Sequence, residues 1–166
     1  FPGTIVAIGV LIFTGQLDWV ISNLFGAQFQ GVLVTSIMML FFAYIVRFQA
    51  VGYGAMISGV KRLPSNMMNA SRVLGQDYIE SIRRVISPLL QSSFLAGMML
   101  VFVDVMKELP ITLMTRPFGF NTLAVRIYEL SSEGLWQRAA LPALAIVLVG
   151  LIPVVILILR ADKVQQ

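Results

Sequence analysis

The chain has 166 residues, 58% of them hydrophobic and only 12% charged, with a mean hydropathy of +0.87. A soluble domain of this length carries about twice that charge, so the composition argues against a water-soluble fold and for a bilayer. With no Cys and no His there is no disulfide framework, thiolate nucleophile or imidazole base, which excludes most intramembrane hydrolases.

Phe1-Pro2 opens inside an apolar run, so the sequence reads as a fragment with upstream spans missing. The first run, residues 1–13, is short of the ~20 residues that cross a bilayer and is predicted as a partial span. The piece after it carries Asp18, Trp19 and Asn23 among Leu17, Val20, Ile21 and Leu24 at helical spacing. That pattern predicts a helix lying on the membrane surface, with Trp19 at headgroup level. A second span is predicted at about 30–48, flanked by Gln30 and Arg47, and a Gly-rich bend follows it. A third, about 89–107, begins with Gln91, Ser92, Ser93 and Gly97, small and polar residues that favour close helix–helix contact. Residues 121–130 read as an amphipathic helix with Leu123, Ile127 and Leu130 on one side, and 139–160 is the cleanest span.

Between the second and third spans lies a polar stretch, 61–88, predicted as a helical hairpin. Pro64 and Ser65 signal a helix start, and Gly75 a left-handed stop. Asp77 with Glu80 three residues on forms a candidate capping box, and Pro88 is expected to end the second helix. Arg62, Arg72, Arg83 and Arg84 make the hairpin basic. Counting basic residues on the two sides gives eight (Arg47, Lys61, Arg62, Arg72, Arg83, Arg84, Arg160, Lys163) against four (Lys107, Arg116, Arg126, Arg138). The positive-inside rule then places the hairpin and C-terminus in the cytoplasm and 107–138 outside.

The third span ends in Asp104, Lys107, Glu108 and Pro110, with the charged residues on one helical face at spacings i, i+3 and i+4. They either form a charged lining or outer gate of a path, or pair with one another to hold the helix end. Two carboxylates could ligate a hard ion, but a permeating ion must not be held tightly, and no metal site is assigned. Arg116-Pro117-Phe118-Gly119-Phe120 is either a partner-facing outer loop or an ordinary turn. No G-x-x-x-x-G-K-[ST] occurs, so any ATP that drives this chain is bound by another polypeptide.

The hairpin resembles the cytoplasmic signature loop of binding-protein-dependent ABC importer permeases, read as Glu-Ala-Ala, three residues, Gly, nine residues, Ile-x-Leu-Pro. Asn69 stands at the Glu, Ala70 agrees, Ser71 replaces the second Ala, Gly75 and Pro88 agree, Val85 replaces Ile, and Ser87 replaces Leu. Arg72 lies in the same loop. The run FVDVMKELPITLMTRPFGFNTLAVRIYEL, with ALPALAIVLVGLIPVVIL after it, is similar to the C-terminal half of ferric-iron importer permeases, as is Pro2-Gly3-Thr4. The resemblance implies an all-α polytopic membrane helix bundle of the type I importer kind, in the bacterial inner membrane, with a coupling-helix hairpin.

It also implies partners: a dimer of ABC ATPase subunits holding ATP-Mg, an extracytoplasmic solute-binding protein, a second permease half or subunit, and membrane lipid. This chain would need no cofactor of its own and no nucleic acid. The cargo implied is ferric iron. Thiamine, polyamine or another small solute is the alternative within the class, and a secondary transporter or channel fragment the alternative outside it.

Overall fold

The computed structural model describes residues 2–64, 66–73, 75 and 77–164, and among them only helices, turns and loops occur. The helices are α1 (Gly3–Phe25), α2 (Ile37–Val60), α3 (Met67–Val73), α4 (Tyr78–Ser81), α5 (Ser87–Met106), α6 (Pro110–Thr115), α7 (Leu123–Ser132) and α8 (Trp136–Val164). A 3-10 turn (Ala27–Phe29) follows α1, and a π-helical segment (Ile82–Ile86) joins α4 to α5. Four helical stretches are long and apolar enough to cross a membrane: Gly3–Phe25, Ile37–Val60, Tyr78–Met106 and Trp136–Ile156. The protein is an all-α polytopic membrane bundle, as its sequence implied. It divides into two compact units, Phe1–Gln49 with Val103–Gln166, and Ala50–Phe102.

In the first unit the expected partial span and surface helix are one continuous helix of 23 residues. The polar residues that suggested a boundary are satisfied inside the protein instead. Thr14 donates its hydroxyl to the Val10 carbonyl at 2.7 Å. Asp18, only 3% exposed, accepts the backbone N–H groups of Leu33 and Val34, both at 2.9 Å. A carboxylate holding two backbone donors pins the 26–36 connection to the end of α1. Ala7, Val10, Met39, Leu40, Ala43 and Ile111 form the apolar core, and Phe13 stacks on Phe42 with centroids 5.8 Å apart.

Two further expectations change. The second span is shifted: 30–36 is turn, and α2 runs straight through the expected Gly-rich bend to Val60. In the second unit one glycine from each helix is a contact point, because a Cβ on Gly59 of α2 would meet Ser93 and Leu90, and one on Gly97 of α5 would meet Ala55 at 3.0 Å. Lacking side chains, they let α2 and α5 approach closely. Pro88 does not end a helix. It sits at the second position of α5, directly after the π-helical segment. A proline has no N–H to give and its ring crowds the carbonyl four residues back, and a π turn just before it widens the backbone there.

Part of the 107–138 region is packed against the long helices: Pro110–Thr115 lies on α1 and α2, with Ile111 fully buried in the core cluster and Thr112 and Thr115 enclosed beside it. On α7 the buried residues are Ala124, Val125 and Leu130, whereas Leu123 is 43% exposed, so the expected face is rotated. Thr122 caps α7 by accepting the Val125 N–H. Gly134, with φ 76°, ends it in a Schellman turn, the Leu135 N–H reaching the Leu130 carbonyl at 2.8 Å.

Candidate functional site

The hairpin is built as a latched unit. The Lys61, Arg62 and Leu63 amides donate to the Ile57, Gly59 and Val60 carbonyls, closing the end of α2. After α3 the chain reverses at Gly75, whose φ of 84° is a conformation that glycine reaches without steric cost. Ser81 donates its hydroxyl to the Asp77 carbonyl at 2.9 Å, so the 2.6 Å contact between the Ser71 and Ser81 hydroxyls has Ser71 as donor. Both serines are buried, at 6% and 0% exposure, and their bond ties α3 to α4. Ser71 therefore faces into the hairpin rather than out toward a partner.

The capping box is not formed. Asp77 has the extended backbone of an N-cap but makes no side-chain cap bond, and Glu80 pairs with Arg84 at 2.7 Å. Glu placed four residues before Arg is the favourable order on a helix, and that pairing prevails over the cap. Both partners are largely exposed, so the pair contributes at most about 0.5 kcal/mol.

Asn69 and Ala70 are exposed, Val85 is half-buried, and Pro88 is exposed. Ser65 and the Arg72 side chain lie outside the described residues. What the sequence reading missed is an apolar surface beside them: Val73 is 88% exposed, Tyr78 57% and Ile79 73%. The helical stretch Tyr78–Met106 has 29 residues, about 43 Å at 1.5 Å each, against a hydrocarbon core of ~30 Å. The stretch is thus longer than one upright crossing requires, and Val73, Tyr78 and Ile79 are exposed at or just before its polar end. The sequence holds apolar residues throughout 61–88, and nothing in their spacing separates these three from the ones that pack inside the hairpin.

In the other unit, the charged cluster at the end of α5 divides its work. Asp104 pairs with Lys107 at 3.0 Å. Glu108 does not join them: its carboxylate accepts the Ile111 N–H at 3.1 Å, capping α6, and Pro110 takes the first helical position. Thr112 donates to the Glu108 carbonyl at 2.9 Å, which leaves the Tyr44 hydroxyl as donor in its 2.5 Å bond to Thr112. This chain of hydroxyls ties α2 to α6. Arg116 bonds Asn121, Glu129 at 3.2 Å and the Phe120 carbonyl, and Arg126 also reaches Glu129 at 3.5 Å. The loop between α6 and α7 is thereby held while Phe118 stands fully exposed at its tip.

Arg47 corrects the sequence reading most. It was placed at a span flank, but it lies eleven residues into α2, about 15 Å from the helix start, with thirteen more residues after it. Removing it from the cytoplasmic count leaves seven basic residues against four, so the orientation argument keeps its sign. It shares a stripe with Leu40, Ala43, Tyr44 and Phe48, the inward side of the helix, whereas Phe41, Phe42 and Ile45 are exposed. A guanidinium at the centre of a span costs about 2.5–3.5 kcal/mol on insertion scales. Contact with the Phe48 ring at 5.9 Å recovers about 0.5–1 kcal/mol of that.

Comparison with known proteins agrees with the architecture. Over 156 residues, 94% of this chain, it is 22% identical to the Fe(3+)-transport system permease protein FbpB 2 of Haemophilus influenzae, covering 28% of that protein. It is 28% identical over 124 residues to the permease protein PhnV of Salmonella typhimurium, named for 2-aminoethylphosphonate transport (75% of this chain, 45% of that one). A permease of Haloferax volcanii named for molybdenum transport is 41% identical over 93 residues, 55% of this chain and 33% of that protein. The chain thus spans between about a quarter and a half of the length of these relatives. No family model matches, and no solved structure matches. The resemblance to ABC transporter permeases holds over most of the chain, and with four spanning helices it is a multi-pass protein of the inner membrane.

Proposed function

We propose that this chain is a membrane-spanning part of an ATP-driven importer, worked through the 61–88 hairpin by ATPase subunits that bind ATP and Mg outside it. The observation that carries the reading is the hairpin itself, a unit latched by Ser71 and Ser81 that displays Val73, Tyr78 and Ile79 to solvent. A permease performs no bond chemistry. It transmits the closure of the motor to helices around a path, and a stiff element does so where a flexible loop would dissipate the movement. Asn69 and Ala70 stand on the same hairpin, Ala70 leaving room for close approach by a partner's backbone. Arg83 and Arg84 on the π-helical segment add positive charge for an acidic rim. An extracytoplasmic binding protein delivers the cargo at the opposite face, and a second permease half or subunit completes the path.

Cargo is less closely indicated. The names of the relatives point to ferric iron, 2-aminoethylphosphonate and molybdenum, and ferric iron, the sequence reading, is one of the three.

The docking proposal is tested by changing Val73 and Ile79 to Asp and asking whether the ATPase still co-purifies. Loss of the ATPase with normal membrane insertion is the expected result. Retention of the ATPase by the double variant would remove the hairpin as the docking element.

A further inference from the structure

We propose that Arg47 faces the translocation path and holds the cargo there, and that the cargo is an oxyanion. This rests on the permease reading above and gives it a substrate class.

Arg47 sits near the middle of α2, ten residues from its first residue and thirteen from its last, so a bilayer centred on this helix puts it well inside the hydrocarbon. It is on the inward stripe of the helix, beside Tyr44 and Phe48, not among the lipid-facing residues. Its Nε is buried with no hydrogen-bond partner, and among the described residues no carboxylate comes within ion-pair distance of the guanidinium. The neighbouring polar groups are already committed. Tyr44 donates to Thr112, Thr112 to the Glu108 carbonyl, and the Glu108 carboxylate accepts from Ile111.

What remains here is a permanent positive charge whose buried Nε donor has no partner among the described residues. That is the chemistry which takes a carboxylate, phosphonate or tetrahedral metal oxyanion through paired hydrogen bonds. A bare cation would meet repulsion from the guanidinium at the same point, and the nearest carboxylate described, Glu108, is turned to cap α6 through one oxygen. An ionisable residue within a span marks a pathway by default, and the sign of this one selects anions.

The test uses the complete transporter in proteoliposomes, with its second permease half or subunit, its ATPase and its binding protein, comparing Arg47→Gln and Arg47→Lys with the unchanged protein. The probes are molybdate, sulfate and 2-aminoethylphosphonate, with ferric iron as the cation. The unchanged protein is expected to take up at least one oxyanion, and Arg47→Gln to lose about tenfold or more, the effect of one charge-assisted hydrogen bond. Arg47→Lys should retain much of that uptake, and neither variant should release the ATPase.

Three results would overturn the proposal: uptake of ferric iron alone, oxyanion uptake indifferent to Arg47→Gln, or an Arg47→Gln assembly that dissociates while Arg47→Lys remains whole. The last would mean that Arg47 pairs with a carboxylate of another segment. Failure of the unchanged protein to hold an ATPase would remove the permease reading, and this inference with it.

Discussion

Gly59 is the residue whose replacement has the most calculable consequence. A Cβ built there would lie 2.5 Å from Ser93 Cβ and 3.2 Å from Leu90 Cδ2. Carbon atoms pack at about 3.5–4.0 Å, so Gly59→Ala must push α2 and α5 apart by about 1 Å where they meet. The nearest obstacle is the Ser93 hydroxyl oxygen, which a rotamer change can move, but the Ser93 Cβ behind it is fixed to its backbone and no rotamer change relieves that contact. Overpacking of this kind costs about 1–3 kcal/mol.

The assay is thermal or denaturant unfolding of the purified protein in micelles, read as a double-mutant cycle. Ser93→Gly removes the obstacle and should rescue Gly59→Ala, with a favourable coupling of about 1 kcal/mol or more after allowing for the helix cost of the new glycine. Ser93→Ala keeps the Cβ and should rescue little. A neutral Gly59→Ala, or equal rescue by both Ser93 variants, would refute the close contact.

Asp18→Asn leaves one amide oxygen for two backbone donors, so either Leu33 or Val34 loses its acceptor, at a cost of about 1–3 kcal/mol. Faster hydrogen exchange at those two amides is the expected sign, and unchanged protection would contradict the pinning role. Gly75→Val forces a β-branched residue into φ near 84°, at a cost of about 1–2 kcal/mol. Among the described residues beyond its chain neighbours, no atom lies within 4 Å of the new Cβ position, so the effect expected is conformational. Uptake should fall relative to ATP hydrolysis, with Gly75→Asn milder, and normal uptake by the valine variant would remove the turn from the account.

The membrane class and the Gly75 reversal were legible because each rests on local chemistry, namely apolar length and the left-handed preference of glycine. The sequence misled wherever a polar or breaking residue was taken as a boundary. Thr14 and Asp18 sit inside α1 because tertiary partners satisfy them. Pro88 sits inside a helical stretch because a π segment precedes it, and Gly52, Gly54 and Gly59 are helical, with Gly59 buried where α2 meets α5. Those errors then hid the most informative residue. With α2 ended at residue 48, Arg47 is an unremarkable flank; with α2 continuing to Val60 it lies near the middle of a helix long enough to span. The bonds linking Tyr44 to Thr112, and Ser71 to Ser81, join residues far apart in sequence and had no local signal.

The central claim is that the 61–88 hairpin meets its motor in the cytoplasm. The chain has no cysteine, so single thiols introduced at Val73 and at Phe118, both highly exposed, report the two faces of the membrane without background from this chain. With a membrane-impermeant maleimide on cells whose inner membrane is intact, Phe118→Cys should label at once and Val73→Cys only after that membrane is opened. Labelling of Val73→Cys from outside, with Phe118→Cys protected, would contradict the account.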